Sequence, residues 1–248
     1  MAFEDRSTWT QARSAAEAVQ IDEGLRAYML RVYNYMASGV LLTGIVSWLV
    51  ANTGLSKVFY TVAANGKTQP GLLMWVALFA SLGMVFFLSF RVAKMQAATA
   101  QALFWLYAGL NGVWLSTIFL TYTDTSIVRV FFITSAAFAG LSLYGYTTKR
   151  SLDGLGSFLM MGLIGMLIAS VVNIFLQSSM MDWILSAVGV LVFAGLTAYD
   201  TQKIKEMYFE ADGADVASKK AIMGALTLYL DFINLFLMLL RFFGQSRE

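Results

Sequence analysis

The last apolar stretch of the chain, residues 221–240, carries a single carboxylate, Asp231, near its midpoint. About 20 apolar residues is the length at which an α-helix crosses the hydrocarbon core of a bilayer. A charge at the centre of such a helix costs at least roughly 2.5–3.5 kcal/mol on insertion scales. Asp231 is therefore expected to face protein or water rather than lipid, and other helices must supply that environment.

The polar residues of this stretch fall on one face of the predicted helix. Steps of three and four residues align four positions along it: Gly224, Thr227, Asp231 and Asn234. The remaining faces carry Leu, Phe and Met, which are compatible with lipid. The pattern predicts a membrane-spanning helix with one polar stripe that neighbouring helices cover.

The composition supports a polytopic membrane protein, because 58% of the residues are hydrophobic and only 13% are charged. Soluble chains usually carry about 25% charged residues. The chain has neither Cys nor His, which excludes disulfides, thiol chemistry and the usual pH switch. Proton chemistry must then rest on carboxylates, Lys or Tyr, and we expect no cofactor.

Charge-free runs divide the chain into seven predicted membrane-spanning helices, so the fold class is an all-α membrane protein. The first six are expected within residues 32–56, 72–90, 95–123, 129–149, 153–182 and 183–199. A mixed-charge loop at 203–220 precedes the seventh. Residues 1–31 are predicted to form a partly amphipathic cytoplasmic segment, residues 32–241 the transmembrane domain, and residues 242–248 a short tail.

Lys and Arg are distributed unevenly between the two predicted faces of the bundle. The face that holds the N-terminus receives twelve of them, and the opposite face receives five. Basic loops are retained in the cytoplasm during insertion. The N-terminus is therefore predicted to be cytoplasmic and the C-terminus to lie on the other side.

A second carboxylate, Asp200, ends the predicted sixth span and is expected to approach Asp231. Asp231 lies roughly 15 Å into its helix from the same side, at 1.5 Å per residue. The two side chains can meet if the sixth helix continues past Asp200, and residues 201–207 contain no helix breaker. Two close carboxylates in low dielectric cannot both ionise cheaply, so we expect them to share a proton and titrate together. The alternative is a buried carboxylate that Asn, Tyr or backbone donors hold for packing alone.

Weaker candidates accompany the aspartates. Possible polar lining comes from Thr197, Thr227 and Asn234, whereas Asn111 and Asn173 are typical of hydrogen bonding between helices. Arg91 ends the second span and is either an ordinary cytoplasmic-side residue or a counter-ion to the carboxylates.

Two segments of the chain also resemble each other, residues 138–145 (FAGLSLYG) and 193–200 (FAGLTAYD). Each precedes a Lys on the predicted cytoplasmic side, and Gly145 stands where the second segment has Asp200. Duplication of a helical hairpin and chance convergence of small-residue helix interfaces would each explain this similarity.

The segments YDTQKIK at 199–205 and LTLYLDFINLF at 226–236 resemble the Bax inhibitor-1 family, also called the transmembrane Bax inhibitor motif family. The match is closest to its bacterial members. Residues 142–150 (SLYGYTTKR) and 25–29 (LRAYM) extend the resemblance over nearly the whole chain. It implies a seven-helix fold with the C-terminal helix central in the bundle, in a bacterial inner (plasma) membrane.

The resemblance further implies a pH-sensitive calcium leak gated by an aspartate pair, which falls on Asp200 and Asp231. In the family a basic residue near the end of the second helix pairs with the aspartates, and Arg91 is the candidate here. The expected partners are calcium ions, protons and the lipid bilayer, with membrane proteases as a further candidate and no nucleic acid. Calcium prefers six to eight oxygen ligands, so two carboxylates are not expected to form a high-affinity metal site.

Other functions remain open on sequence grounds. A non-transporting regulator of membrane proteases or of stress and cell-death responses would act through the loops. An intramembrane aspartyl protease fits less well, because Thr-Leu-Tyr-Leu precedes Asp231 where that class has Gly-x-Gly. A retinal protein is disfavoured because no Lys lies inside a span. We therefore expect a protein that is not an enzyme.

Overall fold

The computed structural model describes residues 2–64 and 68–247, with side chains from residue 23 onward within those ranges. The helices there are α1 (Ala2–Asn52), α2 (Ser56–Phe59), α3 (Leu72–Arg91), α4 (Ala97–Leu115), α5 (Ile118–Thr121), α6 (Asp124–Thr147), α7 (Asp153–Leu176), α8 (Ser179–Glu206) and α9 (Ala214–Phe243). A short antiparallel hairpin pairs β1 (Tyr60–Val62) with β2 (Thr68–Pro70). The predicted turn residues Asn65, Gly66 and Lys67 lie outside the described residues.

Seven helical segments in the described ranges are long and apolar enough to cross a bilayer, which confirms the predicted all-α, seven-span fold. They belong to α1, α3, α4 with α5, α6, α7, α8 and α9. Each segment contains between 23 and 30 residues. Because about 20 residues suffice to cross 30 Å of hydrocarbon, every segment is long enough to cross the bilayer even when it is tilted.

Several helices are longer than the charge-free runs predicted. Helix α1 already includes the residues before position 32, where the first charge-free run begins. Helix α8 continues to Glu206 and α9 begins at Ala214, so the predicted loop at 203–220 shrinks to residues 207–213. Charged side chains at helix ends reach solvent while the backbone stays helical, so charge marks the membrane boundary and not the helix boundary.

The connections alternate between two faces of the bundle. The N-terminal face holds residues 92–96, 148–152 and 207–213, and the Asp215 carboxylate there accepts a hydrogen bond from the Ala97 amide at 3.0 Å. The C-terminal face holds residues 53–64, 68–71, 116–123, 177–178 and 244–247. On that face the Thr123 amide donates to the carbonyl of Gln245 at 3.0 Å, which joins the tail to the start of α6.

Helix α9 is the most buried span among those described. In its most apolar stretch 67% of residues are buried, against 17–39% in the other spans. It packs against α1, α4, α6 and α8. Gly224 allows part of this packing, because a Cβ there would lie 2.8 Å from Cγ2 of Ile204 on α8. The central position that the resemblance implies for α9 stays a prediction.

Candidate functional site: a buried carboxyl pair

Helix α8 continues past Asp200 and so fixes the position of the first carboxyl group. Asp200 lies six residues before the helix end at Glu206, and residues 201–206 remain helical. The absence of Gly and Pro from this stretch permits the extension. Asp200 is therefore held on a rigid helix that packs along α9, and its side chain is half-buried.

The second carboxyl group belongs to Asp231, which is buried with 5% of its surface exposed. Its Oδ2 atom is fully enclosed and accepts no hydrogen bond from any described N–H or O–H group. An ionised carboxylate in this position would be costly, because burial removes its hydration and no donor replaces the lost water. The buried oxygen therefore requires a proton or a cation nearby.

The structure places the carboxyl groups of Asp200 and Asp231 close enough to interact. Two ionised carboxylates have no proton to place between them, whereas a pair with one proton forms a hydrogen bond. The contact joins α8 to α9. A helix-to-helix link of this kind depends on protonation, which is the chemical property that a proton-controlled gate needs.

The residues predicted to line a polar path are already hydrogen-bonded to their own helices. The hydroxyl groups of Thr197 and Thr227 donate to the carbonyls of Phe193 and Met223, at 2.8 and 3.2 Å. The Asn234 amide donates to the carbonyl four residues earlier at 2.8 Å. Thr197 is fully buried, and the other two are half-buried. Each keeps lone pairs that could face a passing ion.

The predicted counter-ion, Arg91, belongs to α3, which is not among the main packing partners of α8 or α9. It is exposed at the C-terminal end of α3, on the N-terminal face. Its guanidinium forms no ion pair with Asp200 or Asp231, all three side chains being within the described residues. A role as counter-ion would require α3 to approach α8 and α9.

Gln202 fixes the loop beside the pair, and sequence reasoning missed it. Its amide nitrogen donates to the carbonyl of Arg150 at 2.9 Å, and its amide oxygen accepts from the Leu152 amide at 2.8 Å. The side chain thus satisfies two backbone groups of the connection between α6 and α7. The signal available in the sequence was an uncharged polar residue two positions after Asp200, which does not reveal its partners.

A chain of hydroxyl groups links three helices one residue from Asp200. The hydroxyl oxygens of Tyr33 and Ser142 are 2.7 Å apart, and those of Ser142 and Thr201 are 2.9 Å apart. Thr201 in turn donates to the carbonyl of Thr197 at 2.7 Å. This chain holds α1 and α6 against the half of α8 that carries the site.

A second polar cluster surrounds Tyr229, which is completely buried two residues before Asp231. Its hydroxyl oxygen lies 2.7 Å from that of Thr43 and accepts from the Asn111 amide at 2.9 Å. Asn111 therefore joins α4 to α9, as the sequence predicted. Asn173 likewise joins two helices, α7 and α8, because its amide donates to the Asp182 carboxylate at 2.8 Å.

The pair itself offers few ligands to a metal ion. In the described part of the chain, no group of three or more His, Cys, Asp and Glu side chains could hold a metal ion. Two carboxyl groups offer fewer oxygens than the six to eight that calcium prefers. The arrangement can hold a proton, or attract a cation weakly once that proton leaves.

The fold and the site together define a polytopic helical membrane protein with a carboxyl pair between its last two helices. The family model described as "Inhibitor of apoptosis-promoting Bax1" matches residues 25–248. The chain belongs to this Bax inhibitor-1 family, which confirms the resemblance drawn from the motifs around Asp200 and Asp231.

Bacterial relatives match over most of their length. Protein RP147 of Rickettsia prowazekii is 49% identical over 227 residues, covering 92% of this chain and 93% of the relative. The inner membrane protein YbhL of Escherichia coli strain K12 is 47% identical over 231 residues, covering 92% and 96%. Membrane protein SpyM3_0260 of Streptococcus pyogenes is 37% identical over 227 residues, covering 92% and 96%. The names of the last two relatives, together with the seven apolar helices, support a multi-pass membrane protein.

Proposed function

We propose that the protein is a pH-controlled cation leak, chiefly for calcium, in which Asp200 and Asp231 form a single gate. The observation that carries this proposal is the contact between the two carboxyl groups on adjacent membrane-spanning helices. The buried Asp231 Oδ2 without a donor supports it, since such an oxygen is stable only beside a proton or a cation.

The closed state has one proton between the carboxyl groups. That hydrogen bond ties α8 to α9 and keeps the space between them shut. When the shared proton is lost, two like charges face each other in a medium of low dielectric, where their repulsion is strong. The helices then separate, and a cation takes the place of the proton.

The pH dependence follows from this exchange. Low pH keeps the proton on the pair and the path closed, whereas rising pH removes it and opens the path. A divalent cation matches two carboxylates in charge, and with only two of them binding stays weak enough for release. The expected activity is a slow leak rather than tight binding.

The first test measures calcium entry into liposomes that contain only this protein, with an indicator dye inside, across a series of pH values. Entry above that of protein-free liposomes should grow as pH rises. The matched control is Asp153→Asn, the same chemical change at an exposed carboxylate on the N-terminal face, which should titrate like the wild type.

A flux equal to that of protein-free liposomes at every pH would overturn the leak. That result would favour the non-transporting regulator of membrane proteases or stress responses. A calcium flux that does not change with pH would support a leak but contradict the proton gate.

A further inference from the structure

A long apolar groove runs along the outside of the bundle between α1 and α6. It encloses about 760 Å³. Both helices pack on α9 but not closely on each other. Phe232 of α9 therefore forms part of the groove floor. This position makes the groove part of the surface that faces bilayer lipid.

The length of the groove matches one leaflet of a bilayer. Its wall on α1 extends from Arg26 to Leu41, and its wall on α6 from Phe131 to Tyr146. Each wall is fifteen residue steps, or about 22 Å at 1.5 Å per residue. A bilayer is about 40–45 Å thick including headgroups, so one leaflet measures about 20–22 Å. The groove thus reaches from headgroup level to the midplane.

The lining changes character along this length. The part nearest the midplane is apolar, with Val40, Leu41 and Phe131, and accommodates hydrocarbon. The mouth on the N-terminal face is basic, because Arg26 lines it beside Tyr146. Lys205 lies close by without lining the groove, since its ammonium donates to the Tyr146 carbonyl at 2.8 Å and is 5.4 Å from the centre of that ring. Hydrocarbon at one end and positive charge at the other complement a lipid with an anionic headgroup.

From this geometry we propose that the groove between α1 and α6 is a binding site for an anionic phospholipid of the N-terminal-side leaflet. One acyl chain lies along the apolar walls over Phe232, and the phosphate-bearing headgroup lies near Arg26. The site is independent of the proposed gate, and its test needs no measurement of ion flux.

The binding test uses native mass spectrometry of the purified protein mixed with phosphatidylglycerol or phosphatidylcholine. The wild type should retain one phosphatidylglycerol more tightly than any phosphatidylcholine. Arg26→Gln should reduce that preference about fivefold, the effect of one basic residue near an anionic surface. Arg31→Gln is the matched control, because Arg31 does not line the groove and contacts Ser218.

A groove-filling variant tests the apolar part. Ala139→Trp places a large ring in the groove and should abolish retention of the lipid. Ala136→Trp is the control, because Ala136 is exposed on the same helix outside the groove. Equal retention in both variants, or equal loss in both, contradicts the proposal. So does equal retention of phosphatidylglycerol and phosphatidylcholine by the wild type.

Cross-linking locates the lipid in unmodified protein, so that the proposal does not depend on how the variants fold. Phosphatidylglycerol with a photoreactive acyl chain, reconstituted with the wild type, should label residues 26–41 and 131–146 above the lipid-facing surface of α7. Even labelling of all spans would overturn the site. A dimer that Ala139→Trp disrupts would also overturn it, since a second copy would then fill the groove.

Discussion

At the scale of single residues, the site is predictable where it depends on helical spacing and unpredictable where it depends on loops. The meeting of Asp200 and Asp231 follows from the depth of one carboxylate and the lack of a helix breaker after the other. The contacts of Gln202 depend on the path of residues 148–152, which no local pattern specifies. Arg91, chosen by resemblance, forms no ion pair with either aspartate.

Gln202→Leu tests the loop attachment. The change leaves the Leu152 amide and the Arg150 carbonyl without their partner, so we expect a loss of about 1–3 kcal/mol in the free energy of unfolding. Thermal unfolding in detergent measures it. Gln96→Leu is the control, because Gln96 is exposed and its side chain makes no capping bond. Equal stability of both variants would show that the loop is held by other contacts.

The counter-ion role of Arg91 has its own test. If α3 approaches the carboxyl pair in any working state, Arg91→Ala should shift the pH midpoint of calcium flux, because a nearby cation favours the ionised carboxylates. Arg91→Lys should preserve the midpoint. Lys94→Ala controls for the general loss of positive charge on the N-terminal face. If calcium flux depends on pH identically in the wild type and Arg91→Ala, Arg91 contributes only to the orientation of the protein in the membrane.

At the scale of elements, the two similar segments meet in space. Helices α6 and α8 run in the same direction across the bundle and pack together, and Gly145 lies against the backbone of Ala198. A Cβ at position 145 would lie 2.9 Å from the Ala198 carbonyl carbon. A side chain there would separate the two helices. Gly145, which stands in the first segment where the second has Asp200, thus permits the close approach of the two helices.

Gly145→Ala should therefore lower the free energy of unfolding by about 1–3 kcal/mol, the usual cost of overpacking. Gly140→Ala on the same helix should be neutral or stabilising by about 0.5–1 kcal/mol, because no atom lies within 4 Å of its Cβ position. Thermal unfolding of the two variants in one detergent compares them directly. A stabilising Gly145→Ala would contradict the close packing of α6 on α8.

The number of spans was also predictable, whereas the ends of several were not. Long charge-free runs identify the spans because lipid excludes charge. The same rule misplaces helix ends, because α8 and α9 stay helical through charged residues. Those residues include Lys203, Lys205, Lys219 and Lys220. Charged side chains on these helical ends form contacts that hydropathy does not reveal, such as that of Lys205 with the Tyr146 carbonyl at 2.8 Å.

At the scale of the whole molecule, the two faces of the bundle differ in charge and in the segments that their contacts hold in place. The N-terminal face contains the basic connections and the end of α8 beside the site. The C-terminal face fixes the tail, where Arg247 forms an ion pair with Asp124 at 2.7 Å and its amide donates to the Thr121 carbonyl at 2.9 Å. Seven spans place these faces on opposite sides of a membrane.

Single cysteines test this topology, because the chain contains none of its own. Glu210→Cys and Gln245→Cys, both exposed, should react with an impermeant maleimide from opposite sides of sealed membrane vesicles. The excess of Lys and Arg predicts that position 210 is cytoplasmic. Labelling of both positions from one side would contradict the seven-span arrangement. Labelling of position 210 from outside would show that the orientation is opposite to the predicted one.

The central claim is that Asp200 and Asp231 act as one proton-controlled unit, and a double-mutant cycle on the pH dependence of calcium flux tests it most directly. Asp200→Asn and Asp231→Asn keep the shape of each side chain but remove the shared titration. In liposomes each single variant should lose most of the pH response, and the double variant should lose little more, because groups that act as a unit are non-additive. Effects that simply add across the two sites would contradict the account.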